Sequence, residues 1–341
     1  MALRCRVGKF FFAHLKHSFH LFNHIMNQSV PRSYAIFGTG ALGGFYGANL
    51  QRAGLDVHFL LHTDYDVVRK SGLFIESKEG DFRLSHVNAY QDVHDMPRCD
   101  VVIISLKTTH NHLLPQLLPP VLKKTGVVLV LQNGLGIEEE VATIVGEQRV
   151  MGGLCFLCSN IVRAGHICHL DYGSIVLGEY TANSKPGGIT ERMRQIAQDF
   201  EQANISIKLT ENLLLARWQK LVWNIPFNGL SVVLNATTAE MMTNTDIRCL
   251  AEQLMQEVVA GAKSCDCQIP QSFIAKMLTN TAKMKPYKTS MKLDYDAGHQ
   301  MEIEAIFANP LRVANRAWVN LPKISMLYKQ LKFFNERLQR N

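Results

Sequence analysis

A glycine-rich turn between an apolar strand and a helix constrains the fold of this chain more than any other feature. It lies in the run YAIFGTGALGGFYGANLQRAG, with G-x-G-x-x-G spacing at Gly38, Gly40 and Gly43. The first glycine allows a tight turn, the second lets backbone approach a pyrophosphate, and the third permits close packing of helix on strand. The helix N-terminus supplies N–H groups and a positive dipole for phosphates. This context predicts a dinucleotide site made by Gly38, Thr39, Gly40, Ala41, Leu42 and Gly43.

Short apolar runs alternate with helix-like stretches from Tyr34 to the run GVVLVLQNG. Such runs are typical of parallel strands that are buried on both faces. Two longer runs, 149–163 and 166–180, are separated by RAGH and predict antiparallel strands that extend the sheet. An amphipathic helix in PGGITERMRQIAQDFEQAN and a short strand in ISIKLT follow. The pattern predicts a doubly wound, Rossmann-like α/β domain.

The texture of the sequence changes near residues 205–210, beyond which no strand pattern continues. Helical patterns follow at 211–235, 246–265, 270–284, 298–315 and 321–338. The sequence therefore predicts an α/β protein whose Rossmann-like domain precedes an all-helical one. The predicted divisions are an extension at 1–32, a dinucleotide-binding domain at 33–207 and a helical domain at 208–341.

The first 32 residues differ from the rest of the chain in charge. They hold five Lys and Arg residues and no Asp or Glu, so they supply most of the formal net charge of +7. The near-neutral remainder argues against a basic nucleic-acid-binding domain. No uncharged run in the segment reaches the roughly 18 residues of a membrane span. We interpret the segment as lying upstream of a natural start at Met26, with a targeting peptide as the alternative, and expect a cytoplasmic protein.

The run WQKLVWNIPFNGLSVVLN, residues 218–235, predicts a buried helix that carries three polar side chains four residues apart. Lys220, Asn224 and Asn228 share one helix face and form a stripe about 12 Å long. Pro226 lacks an N–H, which predicts a kink and a freed carbonyl at Val222. Because buried polar groups need partners, the stripe indicates a cleft. The plainer alternative is a lysine that reaches solvent beside two satisfied core asparagines.

Three polar residues follow predicted strands at the carboxyl edge of the sheet, where ligands bind in such folds. Lys107 and Asn133 could face a cofactor, although a solvated lysine and an ordinary Asn-Gly turn are the alternatives. His62 stands where the second strand meets the adenosine ribose. An acid there favours NAD and a cation favours NADP, so His62 leaves the choice open, with NADP preferred.

Two further candidates lie near the carboxyl terminus. Ser290 precedes a polar turn, and Glu302 falls within the helix predicted over 298–315. Glu302 and Glu304 cannot share one face, and spacing does not settle which points inward. A solvated carboxylate is the alternative for Glu302 and for Glu304.

The eight cysteines are scattered, and Cys155 and Cys158 form the one C-x-x-C pair of interest. The pair lies in an apolar strand-like run rather than in a turn that enters a helix. No second Cys or His pair has ligand spacing, so we expect reduced thiols and no metal site.

Taken together, these features resemble the ketopantoate reductase family, the 2-dehydropantoate 2-reductases. The resemblance rests on GTGALG at 38–43, Lys107, LQNG around Asn133, the K-L-x-x-N-x-x-x-N string at 220–228, and Ser290 followed twelve residues later by Glu302. It covers residues 33 to about 335. It implies a Rossmann domain, a helical domain like the carboxyl-terminal domain of 6-phosphogluconate dehydrogenase, and an active site between them.

The resemblance also implies NADPH-dependent reduction of 2-dehydropantoate, on the route to pantothenate and coenzyme A. It makes Lys220 the proton donor and places Asn224, Asn228 and Ser290 on the substrate. Implied cofactor contacts are the glycine loop, His62, Lys107, Asn133, Glu302 and the backbone near Cys158. Two departures stand out: His62 replaces an arginine that binds the NADP phosphate, and a further substrate asparagine lacks a clear match, with Asn235 nearest.

The expected chemistry agrees with these roles. Hydride delivery turns a 2-oxo acid carbonyl oxygen into a developing alkoxide, which a fixed lysine can stabilise and protonate. Burial would bring the pKa of such a lysine toward working pH. The alternatives are a reductase for another 2-oxo acid and a non-catalytic nucleotide-sensing module. The expected partner is a small-molecule substrate, with a homodimer as one oligomeric alternative.

Overall fold

The computed structural model describes residues 32–182 and 185–339. The predicted extension lies outside the described residues except for Arg32, and so does the proposed start at Met26. Arg32 is part of the fold, because its Nε donates to Asp199 Oδ2 at 2.7 Å. None of the helices in the described ranges is long and apolar enough to cross a membrane.

The described residues contain ten strands in one mixed sheet. The sheet order is β4-β3-β9-β8-β7-β6-β1-β2-β5, and β10 pairs with β9. The strands are β1 (Ser33–Phe37), β2 (Asp56–Leu60), β3 (Leu73–Ser77), β4 (Phe82–Leu84), β5 (Asn88–Tyr90), β6 (Cys99–Ile104), β7 (Leu122–Val130), β8 (Val150–Arg163), β9 (His166–Glu179) and β10 (Ile207–Leu209).

Twelve α-helices lie in the same described residues. They are α1 (Ala41–Arg52), α2 (Tyr65–Ser71), α3 (Leu114–Val121), α4 (Ile137–Val145), α5 (Glu191–Gln202), α6 (Leu213–Val233), α7 (Thr238–Thr243), α8 (Thr245–Lys263), α9 (Gln271–Ala282), α10 (Ser290–Asp296), α11 (Asn309–Arg316) and α12 (Pro322–Leu338). A π-helical turn, Glu304–Ala308, leads into α11.

The predicted parallel strands are confirmed, since β1 pairs with β2 and β6, and β6 pairs with β7, all in parallel. Their apolar side chains fill two cores, one on each face of the sheet. The antiparallel pair β8–β9 is also confirmed. The predicted strand in ISIKLT is β10, which runs parallel to β9. The Rossmann-like fold class with a helical part after it is therefore correct.

The chain leaves the sheet at Leu209 and enters α6 at Leu213, so the predicted division at 207/208 falls at the start of β10. The division itself stays a prediction. Helix α6 packs at the centre of a separate core, with Trp218 and Phe227 fully buried. It continues through Pro226 to Val233.

One expectation about the carboxyl-terminal part is incomplete and another is wrong. Ser290 begins helix α10, and the predicted polar turn follows that helix at Ala297 and Gly298. Glu302 lies inside the helix predicted over 298–315 but before the observed one, because helical structure begins only at Ile303. The backbone N–H of Met301 donates instead to Asn335 Oδ1 at 2.8 Å. This contact ties the segment before Glu302 to α12.

Candidate active site

The glycine loop has the geometry of a dinucleotide cradle. Gly38 has a φ of +95°, and a Cβ there would lie 2.5 Å from the backbone nitrogen of Leu106. At Gly43 a Cβ would lie 2.1 Å from Ser105 Oγ, so α1 can approach β6 only without a side chain. A Cβ at Gly40 would have Ile161 Cδ1, 4.0 Å away, as its nearest neighbour. The loop is therefore close-packed beneath and open above Gly40.

The N-terminus of α1 is available to an anion. Gly40 is the N-cap residue, and no side chain caps the helix. The N–H groups of Ala41, Leu42 and Gly43 therefore face the same opening, where the helix dipole favours negative charge. Thr39 is fixed at the side of the loop, since its Oγ1 donates to the carbonyl of Leu60 at 3.0 Å. His62 lies two residues beyond the end of β2 and is exposed.

Lys107 follows β6 at the carboxyl edge of the sheet and reaches the helical part of the chain. Its Nζ lies 2.6 Å from Asp294 Oδ2 and 3.9 Å from Glu302 Oε2. Burial opposes the charge, but Glu302 and Asp294 outweigh it and raise the pKa of Lys107. Glu302 is 7% exposed and accepts the backbone N–H of Thr108 at 2.8 Å. Lys107 is thus a fixed cation at pH 7.

Asp294 was not found from the sequence. It lies four residues after Ser290 on α10, so the two share one helix face. That spacing was the available signal, but it could not reveal the pairing with Lys107, which lies 187 residues away. Ser290 is exposed at the first turn of α10. The preceding Thr289 is tied to α6 through a 2.8 Å hydrogen bond to Ser231.

Lys220 lies on α6, within reach of the charge of the same Glu302 carboxylate. Its Nζ donates to the carbonyl of Cys155 on β8 at 2.6 Å and lies 5.4 Å from the ring centroid of Phe156. Burial lowers the pKa of Lys220 from 10.5 to about 8, Cys155 and Glu302 oppose the fall, and Arg217 adds to it. No carboxylate of the described residues forms an ion pair with it. Lys220 therefore holds a proton that it can release near neutral pH.

The two asparagines of the stripe are buried beside Lys220. Asn224 is 6% exposed and Asn228 is 3% exposed. Asn228 Oδ1 is buried without a hydrogen-bond partner among the described residues. An orphaned buried acceptor is costly, and a bound ligand would satisfy it. The plainer alternative of two satisfied core asparagines is therefore wrong for Asn228.

Asn133 lies in a loop held from the helical part. Gly134 has a φ of +112°, and a Cβ there would lie 2.5 Å from Ala305 Cβ. The N–H of Leu135 donates to the carbonyl of Ala305 at 2.9 Å, and Asn309 Nδ2 donates to the carbonyl of Leu135 at 2.6 Å. Asn133 itself is half-buried. The turn is therefore anchored on the carboxyl side of the predicted cofactor contact.

The C-x-x-C pair is not a disulfide. Cys155 and Cys158 are free and buried, and burial raises the pKa of both thiols, that of Cys155 to about 11. The Cys158 thiol contacts the hydroxyl of Tyr287. Within the described residues no group of three or more His, Cys, Asp or Glu side chains could hold a metal ion.

The structure thus brings Lys107, Glu302 and the Asn133 loop to the carboxyl edge of the sheet. Lys220 is near enough to Glu302 for the carboxylate to raise its pKa. The carbonyl of an oxidised substrate beside Lys220 would meet a proton donor and neutral amides. A cofactor on the glycine loop would enter from the same sheet edge. This arrangement suits reduction of a carbonyl.

Two family models match the chain. The model described as ketopantoate reductase PanE/ApbA matches residues 34–182, and the model for its C-terminal part matches residues 212–335. The 2-dehydropantoate 2-reductase of Nostoc sp. is 63% identical over 306 residues, which cover 90% of this chain and 96% of that protein.

Solved structures give the same result. The crystal structure of 2-dehydropantoate 2-reductase from Geobacter metallireducens GS-15 has a TM-score of 0.85 at 40% identity, covering 88% of this chain and 99% of that chain. The dimeric ketopantoate reductase from Staphylococcus aureus has a TM-score of 0.76 at 21% identity, covering 90% and 99%. The second likeness concerns the fold alone.

Proposed function

This chain belongs to the ketopantoate reductase family, and from that premise we propose that it reduces 2-dehydropantoate to pantoate with NADPH. The reaction is a step of pantothenate and coenzyme A biosynthesis. The Nostoc relative carries that enzyme name at 63% identity. The proposed compartment is the cytoplasm. A homodimer is also proposed, and light scattering of the purified protein would test it.

The position of Lys220 carries this proposal. It is a half-buried lysine whose pKa is lowered by burial to about 8, beside an asparagine whose Oδ1 has no partner in the described residues. Bound NADPH would supply the hydride to the substrate carbonyl carbon. Lys220 would stabilise the negative charge that develops on the carbonyl oxygen and give it a proton. The product is then a hydroxyl group and a neutral lysine, which regains its proton from water.

The other residues would orient the reactants without a second proton donor. Asn224, Asn228 and Ser290 would bind the substrate, and the amides add no competing charge. The glycine loop fits NADP, because α1 is uncapped and the space above Gly40 is open. Lys107, Asn133, Glu302, His62 and the backbone near Cys158 would complete the cofactor site. Glu302 would also keep Lys220 protonated before turnover, since its charge raises the pKa of Lys220.

Purified protein mixed with NADPH and 2-dehydropantoate tests the proposal. We expect NADPH absorbance to fall and pantoate to form in equal amounts. A panel with pyruvate and other 2-oxo acids, and with NADH, serves as the control. Turnover of another 2-oxo acid without turnover of 2-dehydropantoate would contradict the proposed substrate. NADPH binding without any turnover would contradict catalysis.

A further inference from the structure

An ion pair between Arg217 and Glu138 is buried next to the candidate active site. Arg217 is 2% exposed and Glu138 is 4% exposed. Arg217 lies on α6, and Glu138 lies in the first turn of α4. Arg217 Nε donates to Glu138 Oε1 at 2.8 Å, and Nη2 donates to the same oxygen. A pair this deeply buried is costly to desolvate and weak evidence for stability, so a functional reason is worth testing.

The same guanidinium holds the chain on the amino-terminal side of Asn133. Nη1 donates to the carbonyl of Gln132 at 2.6 Å, and Nη2 donates to the carbonyl of Val130 at 3.3 Å. On the other side, Asn309 holds the carbonyl of Leu135. The Asn133 loop is therefore clamped at both ends, and the guanidinium fork makes one clamp. A lysine could keep the charge there but could not make the same set of bonds.

Arg217 is also the cation nearest along the helix to Lys220. It precedes Lys220 by three residues on α6, so the two are neighbours on the helix surface. The ionisable groups that act on Lys220 are Cys155 from β8, Glu302 from the segment before the π-helical turn, and Arg217. Arg217 disfavours the charged form of Lys220, whereas Glu302 favours it. Glu138 screens Arg217 because the two are in contact.

We propose that Arg217 is a positioning residue for the reaction: it fixes the loop that presents Asn133, and its charge, moderated by Glu138, promotes proton release from Lys220. The inference rests on the proposed function for its catalytic consequence. Its electrostatic part concerns Lys220 alone and does not depend on which 2-oxo acid is reduced.

Four variants separate the two roles through the pH dependence of kcat/KM and the KM for NADPH. Reduction needs protonated Lys220, so the rate falls as pH rises through its pKa. In Arg217→Met we expect this fall to move up by about half to one pH unit, since a neighbouring cation is gone. In Glu138→Gln we expect it to move down by up to about half a unit. Arg217→Lys should leave the fall in place but raise the KM for NADPH about tenfold. Arg192→Met removes another Arg–Glu pair, with Glu179, in which the arginine is 35% exposed and neither residue acts on Lys220; it should change neither quantity.

A second measurement keeps the test independent of turnover. Reductive methylation with ¹³C-formaldehyde allows Lys220 to be titrated by NMR, with Lys220→Arg to assign its signal. Wild type and Arg217→Met should differ in the same direction as their rate profiles. If Arg217→Met does not fold, the Arg217→Met/Glu138→Leu double variant, which lacks both buried charges, is titrated in its place. We expect the pKa of Lys220 to shift upward in this double variant.

The outcomes are distinct. Shifts of opposite sign in Arg217→Met and Glu138→Gln support the inference, because general structural damage has no such sign. Unchanged Lys220 titration in a folded Arg217→Met or in the double variant overturns it. An unchanged KM for NADPH in Arg217→Lys overturns the loop-positioning role. Wild-type protein that does not reduce 2-dehydropantoate, while NMR still shows the opposite shifts, contradicts the proposed function and leaves the electrostatic inference standing.

Discussion

Two lysines near Glu302 differ in their surroundings and therefore in their chemistry. Lys107, at the end of β6, has one carboxylate at 2.6 Å and another at 3.9 Å, and its pKa is raised. Lys220, on α6, has a backbone carbonyl at 2.6 Å and an aromatic ring, and burial lowers its pKa to about 8. The same type of side chain is thus a permanent cation at Lys107 and a titrating acid at Lys220.

The difference shows how partners divide two tasks between identical residues. A lysine paired with carboxylates keeps its charge at any pH near neutrality. A lysine that is buried against a carbonyl and a ring holds its proton weakly, which suits proton donation. Substitution of each lysine tests this division of tasks.

Replacing Lys220 should remove catalysis but not cofactor binding. We expect Lys220→Ala to lower kcat by about 10²–10⁴-fold, because no other described group is placed to give the carbonyl oxygen a proton. NADPH affinity, measured by fluorescence titration, should stay near that of wild type. Gln219→Ala, next to it on α6, is the control and should keep full turnover. Unchanged turnover in Lys220→Ala would remove Lys220 from the mechanism.

Replacing Lys107 should affect cofactor binding more than chemistry. We expect Lys107→Ala to raise the KM for NADPH about tenfold with little change in kcat, since a fixed cation at the cofactor edge is lost. Lys123 provides a matched control, because it pairs with Asp100 at 2.8 Å and its side chain is 41% exposed against 42% for Lys107. Lys123→Ala should leave both constants unchanged. A large fall in kcat for Lys107→Ala would show that the two lysines share the proton-donor role.

The two lysines should affect stability in opposite directions. The folded-state pKa of Lys220 lies below 10.5, so its charge destabilises the fold below about pH 8, and this cost disappears as pH rises to 10.5. The folded-state pKa of Lys107 is raised, so its stabilisation is full below 10.5 and is lost as pH rises through the raised value. At pH 7 we expect the free energy of unfolding to rise by about 1 kcal/mol in Lys220→Met and to fall by about 1 kcal/mol in Lys107→Met. Urea denaturation would show the first variant unfolding at higher urea than wild type and the second at lower urea. The same sign for both variants would contradict the comparison.

His62 offers a further position for cofactor recognition. It is exposed beyond β2, where the cofactor's adenosine ribose is expected. We expect His62→Arg to raise the preference for NADPH over NADH a few-fold, because an arginine can pair with the 2′-phosphate. The ratio of kcat/KM for the two cofactors is the measurement. An unchanged ratio would place recognition of the phosphate elsewhere.

Sequence reasoning succeeded where the signal is local. The glycine spacing and the apolar strands specify their own structure within a few residues, and the three-residue stripe on α6 follows from helix periodicity alone. Strands β3 to β5 are three to five residues long and were missed, since such short runs carry little periodicity. The roles of the site residues remain predictions that the variants above can test.

Contacts between residues that are far apart in the sequence could not be predicted from it. Glu302 lies inside the predicted helix but before the observed one, which begins at Ile303, and the N–H of Met301 instead donates to Asn335, 34 residues away. Asp294 matters through Lys107, and Arg217 through Glu138, which are 187 and 79 residues distant in sequence. An arginine inside the apolar run LLLARWQKLVW, one turn before Lys220, was the signal that could have identified Arg217. Its partner could not be read from the sequence.

Titration of Lys107 and Lys220 in one sample would measure the difference in pKa between the two lysines. Wild-type protein carrying ¹³C-methylated lysines would be followed by NMR across pH, with Lys107→Arg and Lys220→Arg to assign the two signals. We expect the Lys220 signal to titrate near pH 8 and the Lys107 signal above 10.5. Titration of Lys220 at or above pH 10.5, together with Lys107, would contradict the division of roles between the two lysines.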